Sequence, residues 1–217
     1  MPGLFNFFSK DKEPNLEVAV NDIQSWVNSQ ALKIFDDTNR QGNILIQKLE
    51  TSASNVKSAT DEFLKVEINT GELEQPIIPT IKNSRNSIAN KIINTISKLE
   101  FPEAKNFVDL TKFARHISQS LAQIDQTLKT HGRILFTILS KELRPLLTEL
   151  KKMQQEAAQL SKIVEKNTDK ANKVEHILTI VTRLLTLNTE LLNDITSLDK
   201  SKRGSADFTK SEDEIIK

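Results

Sequence analysis

The sequence predicts an all-α fold: an elongated antiparallel three-helix coiled-coil bundle with kinked long helices, dimerising into a longer six-helix assembly. Helix breakers are scarce, with 5 Gly and 6 Pro among 217 residues. Hydrophobic residues make up 37% and charged residues 27%, a balance that fits a thin bundle better than a compact α/β domain. Over residues 143–195, apolar or small residues recur at alternating steps of three and four, interrupted only by two asparagines. That pattern is typical of a long coiled-coil helix.

The predicted domain covers residues 14–200 and contains helices over residues 15–69, 80–131 and 134–199. Gly71, Pro76 and Pro79 separate the first helix from the second. Pro102 must end or kink the second helix. The apolar pattern changes phase near residues 131–133 (His-Gly-Arg), where we expect a tight turn. The alternative is one continuous helix with a local stutter. The polar residues 201–217 are predicted to be disordered.

Residues 1–13 form a predicted amphipathic segment, in which four large apolar side chains occur within five positions and lysines follow at once. Aromatic rings with adjacent lysines suit the membrane interface, because the rings sit at headgroup depth and the lysines meet anionic lipid. The alternative is that the phenylalanines fold back to cap the bundle. The residues of this segment assigned to membrane contact are Leu4, Phe5, Phe7, Phe8, Lys10 and Lys12.

A second apolar stripe appears near the end of the third helix. A helix that is apolar over so much of its circumference needs partners on more than one side. In the predicted bundle, the stripe-bearing end of the third helix lies beside residues 63–68 and the start of the second helix. These neighbours would not cover all of the apolar surface at that end. The sequence therefore predicts a homodimer. Its interface residues are Ile177, Ile180, Leu184, Leu187, Leu191 and Leu198.

Charge is unevenly distributed although the net charge is only +1. Residues 14–79 hold five basic and ten acidic residues, a net of −5, whereas residues 80–133 hold nine basic and four acidic, a net of +5. These blocks either attract each other as neighbouring helices or leave the second block as a basic surface. The near-neutral total argues against a general polyanion binder, so no nucleic-acid partner is predicted.

Nothing in the sequence identifies a reaction. The three histidines are far apart, the five glycines are isolated, and there is no cysteine. No zinc-protease motif, repeated Glu-x-x-His pair or phosphate loop occurs. We therefore predict that the protein is not an enzyme and has no cofactor, metal or small-molecule substrate. It lacks the pattern of a signal peptide and any run of the ~20 apolar residues that cross a bilayer, so a cytoplasmic location is expected.

The layout of residues 1–200 resembles that of N-BAR domains, the crescent-shaped membrane-curvature proteins. The shared features are an apolar N-terminal segment, three long helices bent at prolines, and a dimerising end. The resemblance implies a homodimer that lies on curved anionic membrane, with the N-terminal segment as a wedge. In the helical domain it assigns lipid contact to Lys129, Arg133, Lys141 and Arg144.

The predicted function is thus a peripheral membrane protein that senses or generates curvature. The alternative is a soluble coiled-coil scaffold with no membrane role, which also explains every apolar seam.

Overall fold

The computed structural model describes residues 16–68, 71 and 77–215, with side chains described in those ranges except at residues 16, 17, 134 and 199–215. The helices are α1 (Leu16–Lys65), α2 (Ile77–Ser97) and α3 (Phe107–Ile215), and no strand occurs among the described residues. Leu139 has non-helical backbone angles (φ −116°, ψ 19°) and divides α3 into a first limb, residues 107–138, and a second limb, residues 140–215. The all-α class is confirmed.

Residues 34–170 form one compact unit, the four-segment unit. It contains residues 34–65 of α1, the whole of α2, the first limb of α3, and residues 140–170 of the second limb. The four segments pack together around one core, to which each contributes fully buried side chains. Examples in chain order are Leu49, Ile88, Ile117 and Met153.

The four segments alternate in direction. Arg85 near the start of α2 donates to the carbonyl oxygen of Val66, just beyond the end of α1. Phe107, at the start of α3, packs edge-on against Phe35 with ring centroids 4.9 Å apart. Ser52 Oγ of α1 donates to Glu156 Oε2 of the second limb at 2.5 Å. Each helix therefore runs opposite to the one before it, as short connections require.

The connection at residues 98–106 divides the helix predicted for residues 80–131 in two, so of the two effects expected of Pro102, an end or a kink, the structure shows the end. Pro102 lacks a backbone N–H and disfavours helical angles at the residue before it, which favours an end to the helix. Side chains of α1 hold the released backbone. The N–H of Ala104 donates to Asn43 Oδ1 (2.9 Å), Asn43 Nδ2 donates to the Ala104 carbonyl (3.4 Å), and Asn39 Nδ2 donates to the Lys105 carbonyl (2.9 Å).

The chain reverses at Leu139 and not at residues 131–133, where α3 is helical. A single glycine costs a helix only about 1 kcal/mol, and that cost does not force a turn at Gly132. Extending the first limb beyond it buries Leu135 and brings Leu139 and Leu143 into the core. Burial of each such side chain contributes about 1.5–3 kcal/mol, which outweighs the glycine cost.

The described residues 16–33 and 171–215 belong to the other compact unit, the two-segment unit. Its described helices are residues 16–33 of α1 and residues 171–215 of α3. Among its described side chains the buried hydrophobic ones are Val20, Val27 and Val181.

Two further expectations differ from the structure. The stripe-bearing residues 177–198 share a unit with the start of α1, whereas Phe63 and Ile81 belong to the core of the four-segment unit. α3 remains helical to Ile215, through most of the tail that was predicted to be disordered. The helix can continue because α3 contains no proline after Pro145. Gly204 is the one glycine in this stretch, and a single glycine costs too little to end a helix.

Glycine substitutions test the position of the reversal. Gly132→Ala is expected to raise the free energy of unfolding by about 1 kcal/mol, because alanine favours helix and nothing lies within 4 Å of the added Cβ. In α1, Gly42→Ala would press its Cβ against the buried side chain of Leu110. Overpacking of this kind lowers the free energy of unfolding by about 1–3 kcal/mol, which cancels or exceeds the stability gained from the higher helix propensity of alanine. Urea denaturation followed by circular dichroism measures both, and destabilisation by Gly132→Ala would favour a turn at residues 131–133.

Asn43→Ala is expected to lower the free energy of unfolding by about 2 kcal/mol, because the N–H and C=O of buried Ala104 both lose their partner. Gln41→Ala, at an exposed position of the same helix, is the matched control and should change stability by less than about 0.5 kcal/mol. Equal effects of the two substitutions would show that the asparagine does not hold the connection.

Candidate interaction surfaces

The six residues predicted to form a dimer interface lie on one exposed face of α3, which we call the apolar stripe. Four of the stripe residues are spaced seven apart, at positions 177, 184, 191 and 198. Around an α-helix, residues seven apart differ in direction by only about 20°, so these side chains share one face. Positions 180 and 187 lie beside them. Asp194 interrupts the stripe near its end. The exposed fractions rise along the chain from 40% at Ile177 to 61% at Leu198.

The stripe is distinct from the face by which the same segment packs. Val181 is buried, and Leu178 and Leu185 are half-buried. These three follow the seam that the sequence placed on the inner face of α3. Leu192 and Ile195, also assigned to that seam, are 61% and 54% exposed. The seam therefore loses its cover toward residue 195, and the apolar surface available to a partner is larger than the sequence predicted.

The two-segment unit is apolar on its outside in a way that the four-segment unit is not. On α1 it also exposes Val18, Trp26 and Leu32, each by more than half. In a pair of helices, each helix can bury only the face that contacts the other, so a second apolar face stays exposed. Four helices can bury more of their apolar surface in a common core. An exposed apolar surface of this extent marks an interaction site.

A second surface lies where α3 reverses. We call it the hairpin tip. It combines two exposed apolar side chains with exposed cations from both limbs. Phe136 is 57% exposed and Ile138 37% exposed, whereas Leu135 and Leu139 point into the core. The residues of the hairpin tip are Lys129, Arg133, Phe136, Ile138, Lys141 and Arg144.

The resemblance to N-BAR domains assigned lipid contact to the four cations of the hairpin tip, but nothing in the sequence analysis pointed to its two apolar residues. A reversal at residues 131–133 would put Phe136 in phase with Leu143. With the reversal at Leu139, Leu135 and Leu139 are buried, and Phe136 is 57% exposed at the groove between the limbs. The change of phase in the apolar pattern was a signal of the reversal, but it did not locate it.

An open groove separates the two limbs beside the hairpin tip. A cavity of about 430 Å³ lies between Leu128 and Phe136 of the first limb and Leu143 and Leu147 of the second, with Lys129 and Arg133 also lining it. An adjoining cavity of about 380 Å³ is lined by Arg144 and Lys151 among others. Lys129 pairs with Asp125 one turn away, at 2.5 Å. Both side chains are largely exposed, so this ion pair contributes little to stability.

The N-terminal residues assigned to membrane contact (Leu4, Phe5, Phe7, Phe8, Lys10 and Lys12) lie outside the described residues.

In the part of the chain that the structure describes, no three His, Cys, Asp or Glu residues are grouped so that they could hold a metal ion. No described helix is long and apolar enough to cross a membrane.

Comparison with known proteins finds no matching family model, no similar curated protein and no similar solved structure. The resemblance to N-BAR domains therefore rests on the layout of the sequence alone, and the functional argument rests on the two surfaces.

Proposed function

We propose that the protein is a helical scaffold that works by binding and not by catalysis, and that two copies associate through their apolar stripes. The observation that supports this most directly is the difference in burial between the two units. The four-segment unit buries the apolar faces of its helices, whereas the two-segment unit exposes six stripe residues by 40–61%.

Association would recover free energy that the single chain leaves unused. Full burial of a leucine or isoleucine contributes about 1.5–3 kcal/mol, and these six side chains are already roughly half covered. Covering the rest of the stripe would thus contribute of the order of 5 kcal/mol per copy, or about 10 kcal/mol per pair. The loss of translational and rotational freedom costs about 4–15 kcal/mol, which is of the same size as this gain, so the affinity of the dimer depends on how well the two stripes fit.

A second copy is favoured as the partner because the stripe complements itself. In an antiparallel pair centred near Leu187, Leu184 of each copy faces the Leu187–Leu191 region of the other. Arg183 and Glu190 flank the stripe at nearly equal distances on either side of the centre. Arg183 of each copy therefore meets Glu190 of the other, and the two-fold axis produces this ion pair twice. A parallel pair gives no such match.

The membrane function implied by the N-BAR resemblance is compatible with this dimer but not required by it. A dimer doubles any weak contact that each copy makes with a surface, so it strengthens binding by avidity. Curvature sensing or generation stays a prediction that depends on residues 1–13.

The stripe is tested by measuring the mass of the protein in solution. The wild type is expected at twice the chain mass of 24.5 kDa, and the triple variant Leu184→Ser/Leu187→Ser/Leu191→Ser at the chain mass. The matched control is Ile44→Ser/Val108→Ser, which removes exposed apolar side chains from the four-segment unit. It should leave the mass at the dimer value. Sedimentation equilibrium at micromolar concentration makes the measurement, and a monomeric wild type would refute the proposal.

The antiparallel arrangement has its own test. Arg183→Glu and Glu190→Arg should each weaken the dimer several-fold, because each places like charges opposite one another twice. The double variant Arg183→Glu/Glu190→Arg restores opposite charges and should recover the wild-type dissociation constant. Failure of the double variant to recover, with a dimer still present in the wild type, would reject the antiparallel register while leaving self-association in place.

A further inference from the structure

We propose that the hairpin tip docks on anionic lipid membranes, with Phe136 and Ile138 entering the interface and the four surrounding cations binding lipid headgroups. This surface is separate from the apolar stripe, and the inference does not rest on dimerisation.

The first step of the argument is geometrical. The reversal at Leu139 divides the large side chains at the end of the first limb into a buried group and an exposed group. Leu135 and Leu139 are buried in the core, together with Leu143 of the second limb. Phe136 is 57% exposed at the groove between the limbs, and Ile138 is 37% exposed on the opposite flank of the same helical turn. The last turn before Leu139 thus carries an exposed aromatic and an exposed branched aliphatic side chain, one on each flank, at the end of the hairpin.

The second step concerns charge. No acidic residue occurs from residue 126 to residue 141. Within residues 129–144 the one acidic residue is Glu142, which is half-buried, whereas the four cations are exposed. Lys129 pairs with Asp125, so Arg133, Lys141 and Arg144 carry most of the uncompensated charge. Two of the four cations lie before the reversal and two after it, so positive charge flanks the apolar residues on both limbs. Each Lys or Arg near an anionic lipid surface strengthens binding roughly fivefold at low ionic strength.

The third step identifies the partner class. A turn with an exposed aromatic side chain needs a partner whose surface can deform to accommodate the ring. The interface of a bilayer accepts aromatic rings at headgroup depth without a preformed pocket, and anionic headgroups neutralise the flanking cations. An acidic protein would need a concave apolar pocket for Phe136, and a nucleic acid would leave Ile138 exposed. The combination of charge and outward apolar residues therefore favours lipid.

The test uses the full chain and sedimentation with vesicles of phosphatidylcholine and phosphatidylserine in equal parts. The wild type should bind at low salt, bind less as salt rises, and bind weakly to pure phosphatidylcholine. Phe136→Ser/Ile138→Ser should lower the partition coefficient by roughly tenfold, because the partial burial of two apolar side chains is lost. The control Ile44→Ser/Val108→Ser alters equally exposed residues of the same unit and should bind as the wild type does.

A second pair of variants tests whether the vesicles bind at the hairpin tip or are attracted by the net charge of the whole protein. Arg133→Glu/Lys141→Glu should lower binding more than twentyfold, given roughly fivefold per charge lost. Lys91→Glu/Lys98→Glu makes the same change in net charge at exposed positions of α2 and just beyond it. If it lowers binding equally, the attraction is not specific to the hairpin tip and the proposal fails.

A spectroscopic measurement reports insertion directly. The sequence contains no cysteine, so Thr137→Cys provides a single labelling site between the two apolar residues. An environment-sensitive dye at this position should shift to the blue on addition of the anionic vesicles. The same dye at Val108→Cys should not shift.

Two results would overturn the proposal. One is a wild type that stays in the supernatant at low salt. The other is binding that survives the hairpin-tip variants but is lost in Phe5→Ser/Phe7→Ser/Phe8→Ser, which would assign the membrane contact to the N-terminal segment. The mass of each hairpin-tip variant should remain that of the wild type, so loss of lipid binding is distinguished from loss of the dimer.

Discussion

The burial of Leu135, Leu139 and Leu143 around the reversal of α3 is the constraint on which the four-segment unit depends. Because these side chains enter the core, α3 folds back and its two limbs lie antiparallel. The second limb then meets α1 in the register shown by the Ser52–Glu156 hydrogen bond. If the chain reversed at Gly132 instead, the first limb would be shorter and Leu135 would leave its place in the core.

The same reversal accounts for the character of the hairpin tip. Packing selects which residues of the turn face inward, and the remainder, including Phe136, must face outward whatever their polarity. An apolar residue on the outside costs a soluble protein little when it occurs singly. The combination with cations on both limbs distinguishes this turn from an ordinary helix connection, and the proposed lipid contact depends on it.

The two units illustrate how helix number controls exposure. An amphipathic helix with one apolar face needs a neighbour on one side only. Residues 171–198 of α3 carry two apolar faces, and the two-segment unit supplies a neighbour for one of them. The exposed second face is the feature on which the proposed self-association depends.

The sequence by itself determined the all-α class, the break between α1 and α2, and the apolar periodicity of α3. These depend on local properties: the conformational restrictions of proline and the 3.6-residue period of a helix. Of the candidate residues, the six of the stripe could be named from their spacing, whereas the four cations of the hairpin tip were implied by the resemblance to N-BAR domains.

The tertiary structure decided where α3 reverses, which segment neighbours residues 177–198, and that Phe136 faces outward. A change of phase in an apolar pattern shows that a break exists but not where it lies, because several adjacent positions restore the phase equally well. Only the competition for space in the core, which draws in residues from all four segments, selects Leu139. The pairing of segments likewise depends on contacts between residues far apart in the chain, and local pattern carries no information about them.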